Sequence, residues 1–236
     1  MALRPIFIPT PGAETLVETK TIDFKWFPGM SVAQKQRSVD SLQAAAQDSM
    51  PSLSRILEVS SKSRDELGVA LSAFNLSFTT RKYNLTMSVE CAFQGSKVFE
   101  HGGPFKDLFQ KTSREAKLDE RIKSSGKLKK FSFFNMDWGL EPRTAFYDWL
   151  YINALIKQPS SVVEEIVSYS AFTDIEFNPD KSINCQAYSI ALFVSLYKQD
   201  LLDKAIRSKE SFLSTVRSAL ISNSSQNEAL QGDMLK

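Results

Sequence analysis

The segment from Ser88 to Gly103, SVECAFQGSKVFEHGG, constrains the chain most, because it places three polar groups on one face of an apolar helix. The apolar spacing predicts a helix directed toward a core, ended by the HGGP sequence. Glu90, Gln94 and Lys97 recur at i, i+4 and i+7, which puts all three on one face. Burying an isolated charge costs several kcal/mol, so these groups either pair with each other or serve a site.

Two interpretations of this polar stripe follow from the residues alone. In the structural one, Gln94 bridges Glu90 and Lys97 in a network within the helix. In the functional one, the stripe is the floor of a site: Glu90 is an acid/base, and apolar neighbours lower the pKa of Lys97 so that its amine is a nucleophile. The spacing leaves both open.

The composition predicts one soluble globular domain. The local patterns along the chain predict the α+β class, rich in helices and with a few short strands. The chain has 236 residues, 42% of them hydrophobic, and no apolar run approaches the ~20 residues that span a bilayer. The N-terminus lacks the apolar region of a secretory signal, and Cys91 and Cys185 form no CxxC motif, so we expect a reducing cytoplasm. A net charge of +2 argues against a large phosphate-backbone footprint, but it allows an enzyme that contacts one nucleotide.

Local patterns predict the order of the elements. We expect an extended region at 1–30, a helix at 31–50 capped by Ser31, a strand at 55–61, and a short helix followed by a strand at 63–80. Beyond the polar stripe we expect helices at 104–111 and 113–126, a strand at 127–138, helices at 142–158 and 159–170, a loop at 171–186 and a helix at 187–208.

A basic ridge is the second candidate for function. Arg114, Lys117 and Arg121 recur at i, i+3 and i+7 and suit phosphates or carboxylates. The alternative is a solvated helix face paired with its acidic neighbours Glu115 and Asp119.

Further candidates lie nearer the C-terminus. Trp138, at a predicted strand end, suits either stacking on a nucleobase or core packing. Asp174, Glu176 and Asp180 cluster on a predicted loop with Asn184 nearby, where they could bind ribose hydroxyls or a metal, or cap the next helix. The single histidine, His101, excludes a multi-histidine metal centre, and the chain has no GxSxG, GxGxxG or P-loop motif.

A series of segments, in this order, resembles the NADAR (YbiA-like) family over residues 66–205. The segments are LSAF at 71–74, SVECAFQGSK at 88–97, AKLDER at 116–121, DW at 137–138 and TDIEFNPD at 173–180. The chain departs from the family pattern at Ala73, where Asn is usual, at Glu120, where Gly is usual, and at INCQA, which replaces WGxG. With its N-terminal segment, it looks most like the NADAR antitoxins associated with DarT-type DNA ADP-ribosyltransferases.

The resemblance implies an N-glycosidase that removes ADP-ribose from guanine bases in DNA as an antitoxin to a DarT-type toxin. It implies that Lys97 attacks the anomeric carbon and forms a Schiff base, with Glu90 as the acid/base and with no metal or cofactor. The substrate-binding residues that we then expect are Phe74, Gln94, Arg114, Lys117, Arg121, Trp138, Asp174, Glu176 and Asn184. The expected partners are ADP-ribosylated DNA, the product ADP-ribose and a DarT-type toxin, with no membrane.

We expect residues 1–60 to be an N-terminal extension packed on the core, 61–220 the NADAR-like catalytic domain and 221–236 a flexible tail. Two other functions stay open. One is an N-glycosidase on a small ribosyl metabolite of the riboflavin-pathway type, and the other is a non-catalytic protein that neutralises a toxin by binding it.

Overall fold

The structure, a computed structural model, describes residues 1–12, 15–180 and 182–216. Its strands are Ala2–Pro9 (β1), Val17–Phe24 (β2), Ile56–Glu58 (β3), Ser77–Thr79 (β4), Thr86–Ser88 (β5), Lys97–Phe99 (β6), Leu128–Phe133 (β7), Met136–Trp138 (β8) and Ala171–Thr173 (β9). Its helices include Val32–Ser49 (α1), Glu66–Ala70 (α2), Val89–Gly95 (α3), Ser113–Leu118 (α4), Arg121–Ser124 (α5), Ala145–Leu155 (α6), Ser160–Val167 (α7), Gln186–Lys198 (α8) and Leu202–Ile206 (α9), with a 3-10 helix at Lys106–Gln110. This mixture confirms the predicted α+β class.

The largest sheet joins the two ends of the chain. Its strand order is β2-β1-β9-β3, with β1 antiparallel to β2 over its whole length. Strand β9 pairs antiparallel with β1 at Phe7 and Phe172, and it pairs parallel with β3. The first 60 residues, expected as an extension, therefore supply three of its four strands.

The chain between β3 and β9 forms two smaller sheets. Strands β4 and β5 form a hairpin, and β6, β7 and β8 form an antiparallel sheet. The single strand predicted at 127–138 is wrong, because Phe134 and Asn135 adopt positive φ angles and turn the chain between β7 and β8.

Four other predicted elements are also corrected. Helix α3 ends at Gly95, so Lys97 begins strand β6 instead of continuing the helix to HGGP. The helix predicted at 113–126 is interrupted at Asp119, and the one at 187–208 is interrupted near Asp200, which has a φ of 54°. The loop predicted at 171–186 begins with β9. The predicted tail at 221–236 lies outside the described residues.

Apolar side chains form two cores, and neighbouring residues of β1 belong to different ones: Phe7 to the main core and Ile6 to the second. The main core gathers α3, α6 and α8 with the aromatic residues of β7, and α6 and α8 are buried almost all round. The second core packs α1 on β1 and β2 through Leu42, Phe24 and Ile6. As predicted, Ser31 caps α1, since its hydroxyl accepts a hydrogen bond from the Gln34 N–H at 3.3 Å. Throughout the described residues, each helix is too short or too polar to cross a lipid bilayer.

Candidate active site

Both ends of helix α3 are fixed by contacts within the core. The Ser88 hydroxyl caps it by accepting a hydrogen bond from the Cys91 N–H at 3.1 Å, and all seven residues of the helix are buried. At its other end the helix packs on an aromatic ring, because a Cβ on Gly95 would meet the Phe109 ring at 2.5 Å. Only glycine allows this approach, so the end of α3 is fixed where the chain enters β6.

The three polar residues of the stripe form one hydrogen-bonded chain. The Gln94 Nε2 donates to Glu90 Oε1 at 2.9 Å, and the Lys97 Nζ donates to Gln94 Oε1 at 2.7 Å. The amide therefore holds the carboxylate with one end and the amine with the other. The structure contains the bridge that the first interpretation predicted, except that Lys97 reaches it from a strand.

The Lys97 amine lies in an apolar and partly cationic setting. It sits 4.7 Å from the centre of the Phe93 ring and is largely buried. The pKa of Lys97 is lowered to about 8, mainly by burial; the charge of Glu90 opposes this shift, and the charge of Lys117 adds to it. About a tenth of this amine is thus neutral at pH 7, and about half at pH 8.

The stripe forms one wall of an open cavity of about 1040 Å³. Both interpretations of the stripe therefore describe part of the molecule, because the internal network also faces a concave surface. The remaining walls come from α4, β7 and α6, from the segments after β3, α2, β8 and β9, and from the start of α8. Cationic side chains on these walls are Lys62, Arg114, Lys117 and Arg143. Lys117 also covers the ring of Phe74, with its Nζ 4.9 Å from the ring centre.

Acidic groups lie across the cavity. Asp174 is 7% exposed, and its Oδ1 accepts hydrogen bonds from the N–H groups of Glu176 and Phe177 at 3.0 and 3.1 Å. Burial, and next the nearby Glu58 carboxylate, raise the pKa of Asp174 well above its usual range. Glu176 stays near the surface, where it accepts a hydrogen bond from Ser61 at 3.0 Å.

Gln186 fastens two walls of the cavity together. Its Nε2 donates to the Val59 carbonyl at 2.6 Å, and its Oε1 accepts from the Ala73 N–H at 2.7 Å. These partners are 127 and 113 residues away in sequence, so local patterns gave no signal of the contact. Sequence reasoning also missed Lys62, Arg143 and the buried Tyr147 as lining residues, since none belongs to a periodic pattern.

Most of the expected site residues meet at this cavity. Its lining includes Glu90, Lys97, Phe74, Gln94, Arg114, Lys117, Asp174, Glu176 and Asn184. The side-chain oxygen of Asn184 is buried and has no hydrogen-bond partner within the described part of the chain, so a ligand donor could satisfy it.

Two expected residues lie elsewhere. Arg121 is not among the lining residues; it pairs with Asp107 at 2.6 Å and with Asp119 at 2.8 Å, as the solvated-face alternative predicts. Trp138 is 2% exposed and packs 5.2 Å from the ring of Trp149. Core packing therefore describes Trp138, and a buried ring has no face for a nucleobase. Among the described residues, no group of three or more His, Cys, Asp or Glu side chains could hold a metal ion.

The comparison with known families agrees with this geometry. A family model described as the DarT1-associated NADAR antitoxin matches residues 2–226. No curated protein gives a significant match to the chain. Because the family match covers nearly all of the 236 residues, the chain belongs to the family of DarT1-associated NADAR antitoxins.

Proposed function

We propose that this protein is an N-glycosidase that releases ADP-ribose from guanine bases of DNA and so reverses the action of a DarT-type toxin. Membership of the antitoxin family supports the antitoxin role. The observation that carries the chemistry is the Lys97 amine, which has a pKa of about 8 and lies on the wall of a large cavity, in one hydrogen-bonded chain with Gln94 and Glu90.

The first step in this proposal is attack by Lys97. Its neutral amine donates an electron pair to the anomeric carbon of the ribose, and the bond from that carbon to the guanine nitrogen breaks. The attacking nitrogen then carries a surplus proton. Glu90 accepts this proton and passes it to the guanine nitrogen, so the base leaves neutral.

The second step returns the lysine. The ribose ring opens, and the bond between Lys97 and the anomeric carbon becomes a Schiff base. With Glu90 as the base, water adds to that carbon, and the carbon–nitrogen bond to Lys97 breaks. The products are ADP-ribose and the free amine, and no oxidant or reductant is consumed.

The remaining lining residues suit the other parts of ADP-ribose. Arg114 and Lys117 lie on the same cavity as Lys97 and fit the two phosphates, because guanidinium and ammonium groups bind phosphate oxygens strongly. Asp174 and Asn184 offer polar oxygens to ribose hydroxyls. The volume of about 1040 Å³ lies at the upper end of the roughly 300–1,000 Å³ typical of ligand pockets, which favours a dinucleotide-sized group over a small ribosyl metabolite.

The test is to incubate the protein with an oligonucleotide carrying ADP-ribose on guanine, with and without borohydride. We expect release of ADP-ribose without the reductant, and with it a covalent adduct that peptide mass spectrometry locates at Lys97. Lys97→Ala should abolish both results. Glu90→Gln, which keeps the shape and can still contact Gln94, should lower kcat by about 10²–10⁴-fold.

Lys117→Ala is the matched control, because it removes a second lysine from the same cavity without removing the nucleophile. It should raise KM and leave the adduct at Lys97. Full activity of Lys97→Ala, or an adduct only at another lysine, contradicts the mechanism. Turnover of free ribosyl nucleotides but not of modified DNA indicates the small-metabolite activity. Protection by Lys97→Ala, only at equimolar amounts with the toxin, indicates sequestration instead.

A further inference from the structure

A second surface, far along the chain from the catalytic lysine, combines aromatic rings with unpaired cations. It comprises six residues that we call the N-terminal aromatic patch: Arg4, Lys25, Trp26, Phe27, Lys35 and Arg37. Trp26 and Phe27 follow strand β2 and are only partly buried. Neither the proposed glycosidase reaction nor the motifs of the catalytic cavity use any of these residues.

Each ring of the patch is covered by two cations. The Arg4 guanidinium lies 5.4 Å and the Lys35 amine 4.7 Å from the centre of the Trp26 ring. The Lys25 amine lies 5.2 Å and the Arg37 guanidinium 4.1 Å from the centre of the Phe27 ring. These four contacts gather positive charge over two neighbouring aromatic side chains.

The described residues leave the charge of the patch without a carboxylate partner. Within the part of the chain that the structure describes, none of these four cations forms an ion pair with a carboxylate. Asp40, on the same helix as Lys35 and Arg37, pairs instead with Arg64 at 2.8 Å. The patch therefore presents a net positive charge to an incoming partner.

The geometry of the patch is fixed by the core beneath it. The Ser38 hydroxyl accepts a hydrogen bond from the Phe27 N–H at 3.0 Å and lies 3.3 Å from the Phe27 carbonyl oxygen. The Trp26 ring packs edge-on against Phe24, which belongs to the second core. The rings thus keep their positions while the exposed Lys25 and Arg37 can move toward a ligand.

We propose that the N-terminal aromatic patch binds single-stranded DNA and holds the strand that carries the modified base. Partly exposed rings and the exposed guanidinium plane of Arg37 are surfaces on which unpaired bases stack, and the cations suit the phosphates between them. A rigid duplex offers phosphates but no free base faces, so the patch prefers single strands. The proposal rests on the proposed function only for the choice of DNA as the partner.

The patch is joined to the rim of the catalytic cavity by the segment that follows β3. Arg64 bonds the Gln36 side chain at 3.4 Å and Asp40 on α1, and Lys62, two residues earlier, lines the cavity. A DNA strand bound at the patch would therefore lie on α1, and α1 is hydrogen-bonded to the segment that forms one wall of the cavity.

The test measures binding of unmodified, fluorescently labelled 20-mer single-stranded DNA by anisotropy at several salt concentrations. We expect the double variant Lys35→Ala/Arg37→Ala to bind at least tenfold more weakly than the wild type. Its plot of log affinity against log salt should be shallower by about 1.4, since two phosphate contacts contribute about 0.7 each on single strands. Phe27→Leu, which keeps an apolar side chain but removes the ring, should weaken binding severalfold.

The matched control is Lys198→Ala/Arg207→Ala, which removes the same two charges from exposed positions near the C-terminal helices. It should bind within twofold of the wild type. Equal affinity for duplex and single strand, or equal binding by the two double variants, overturns the proposal. Loss of toxin capture by the patch variant with unchanged DNA binding also overturns it, because the partner is then a protein.

The two proposals fail separately. Binding of unmodified DNA requires no catalysis, so an inactive Lys97 mechanism leaves this result unaffected. If the protein releases ADP-ribose but does not bind single-stranded DNA, only the proposal for the N-terminal aromatic patch is contradicted.

Discussion

At the scale of single residues, the amide of Gln94 explains how the Lys97 amine can lie close to a carboxylate and still have a lowered pKa. A direct ion pair with Glu90 would favour the charged form of Lys97 and raise its pKa. Because Gln94 occupies the hydrogen-bonding position between them, burial dominates and the pKa of Lys97 falls to about 8. Gln94 thus orients the Lys97 amine, whereas the buried surroundings of the amine lower its pKa.

The pH dependence of the proposed reaction follows from this lysine. Only the neutral amine attacks, so kcat for release of ADP-ribose should rise with pH and level off above about 8, as Lys97 loses its proton. Lys117→Met should move this limb to higher pH, because the charge of Lys117 lowers the pKa of Lys97. A stopped assay from pH 6 to 10 measures both curves. A flat profile over that range contradicts the role of the amine.

At the scale of elements, the sequence predicted the members of the stripe but not the element that carries Lys97. The i, i+4, i+7 spacing assumed a continuous helix, whereas α3 ends at Gly95 and Lys97 begins β6. Gly95 was the available signal, since glycine commonly ends helices. Residue types and short-range spacing were therefore sufficient to find Glu90, Gln94 and Lys97, which line the cavity. They could not show that Phe109 packs on Gly95, because that contact depends on the tertiary fold.

The cap of α3 connects this helix to the neighbouring wall of the cavity. The hydroxyl groups of Ser88 and Ser113 are 2.7 Å apart, and Ser113 donates to the Phe74 carbonyl at 2.7 Å. Ser88→Ala should lower the free energy of unfolding by about 1–2 kcal/mol, since it removes a helix cap. It should also lower kcat, because the start of α3 and the Phe74 loop lose their link. Urea unfolding and saturating-substrate assays measure the two effects.

Ser31→Ala is the control for the cap of α3. It removes the equivalent cap from α1 and should cost about 0.5–1 kcal/mol, because this cap is exposed. Its kcat should stay at the wild-type value. Equal loss of kcat in both variants would mean that global destabilisation, and not the position of α3, governs activity.

At the scale of the whole molecule, the large sheet couples the first 60 residues to the cavity. Strand β9 lies between β1 and β3, and Asp174 follows it directly into the cavity wall. Sequence patterns predicted most helices of the main core, because periodicity is local. The pairing of β1 with β9 joins residues 7 and 172, so it depends on the complete fold and left no local pattern.

Removal of residues 1–60 should therefore prevent folding. It takes away both strand partners of β9 and uncovers Phe172, which is fully buried. We expect the shortened chain to be insoluble, or to lack a cooperative unfolding transition by circular dichroism. The full-length protein is the control. A soluble, active fragment beginning at residue 61 would show that the proposed boundary at 60 separates independent units.

The place of β9 in this sheet has a consequence for synthesis on the ribosome. Residues 1–60 emerge early, yet the gap between β1 and β3 stays empty until Ala171–Thr173 has left the exit tunnel. Until then the inner edges of β1 and β3 lack the partner that completes the sheet, and the Asp174 wall does not exist. A newly made chain thus gains its complete cavity only late in translation.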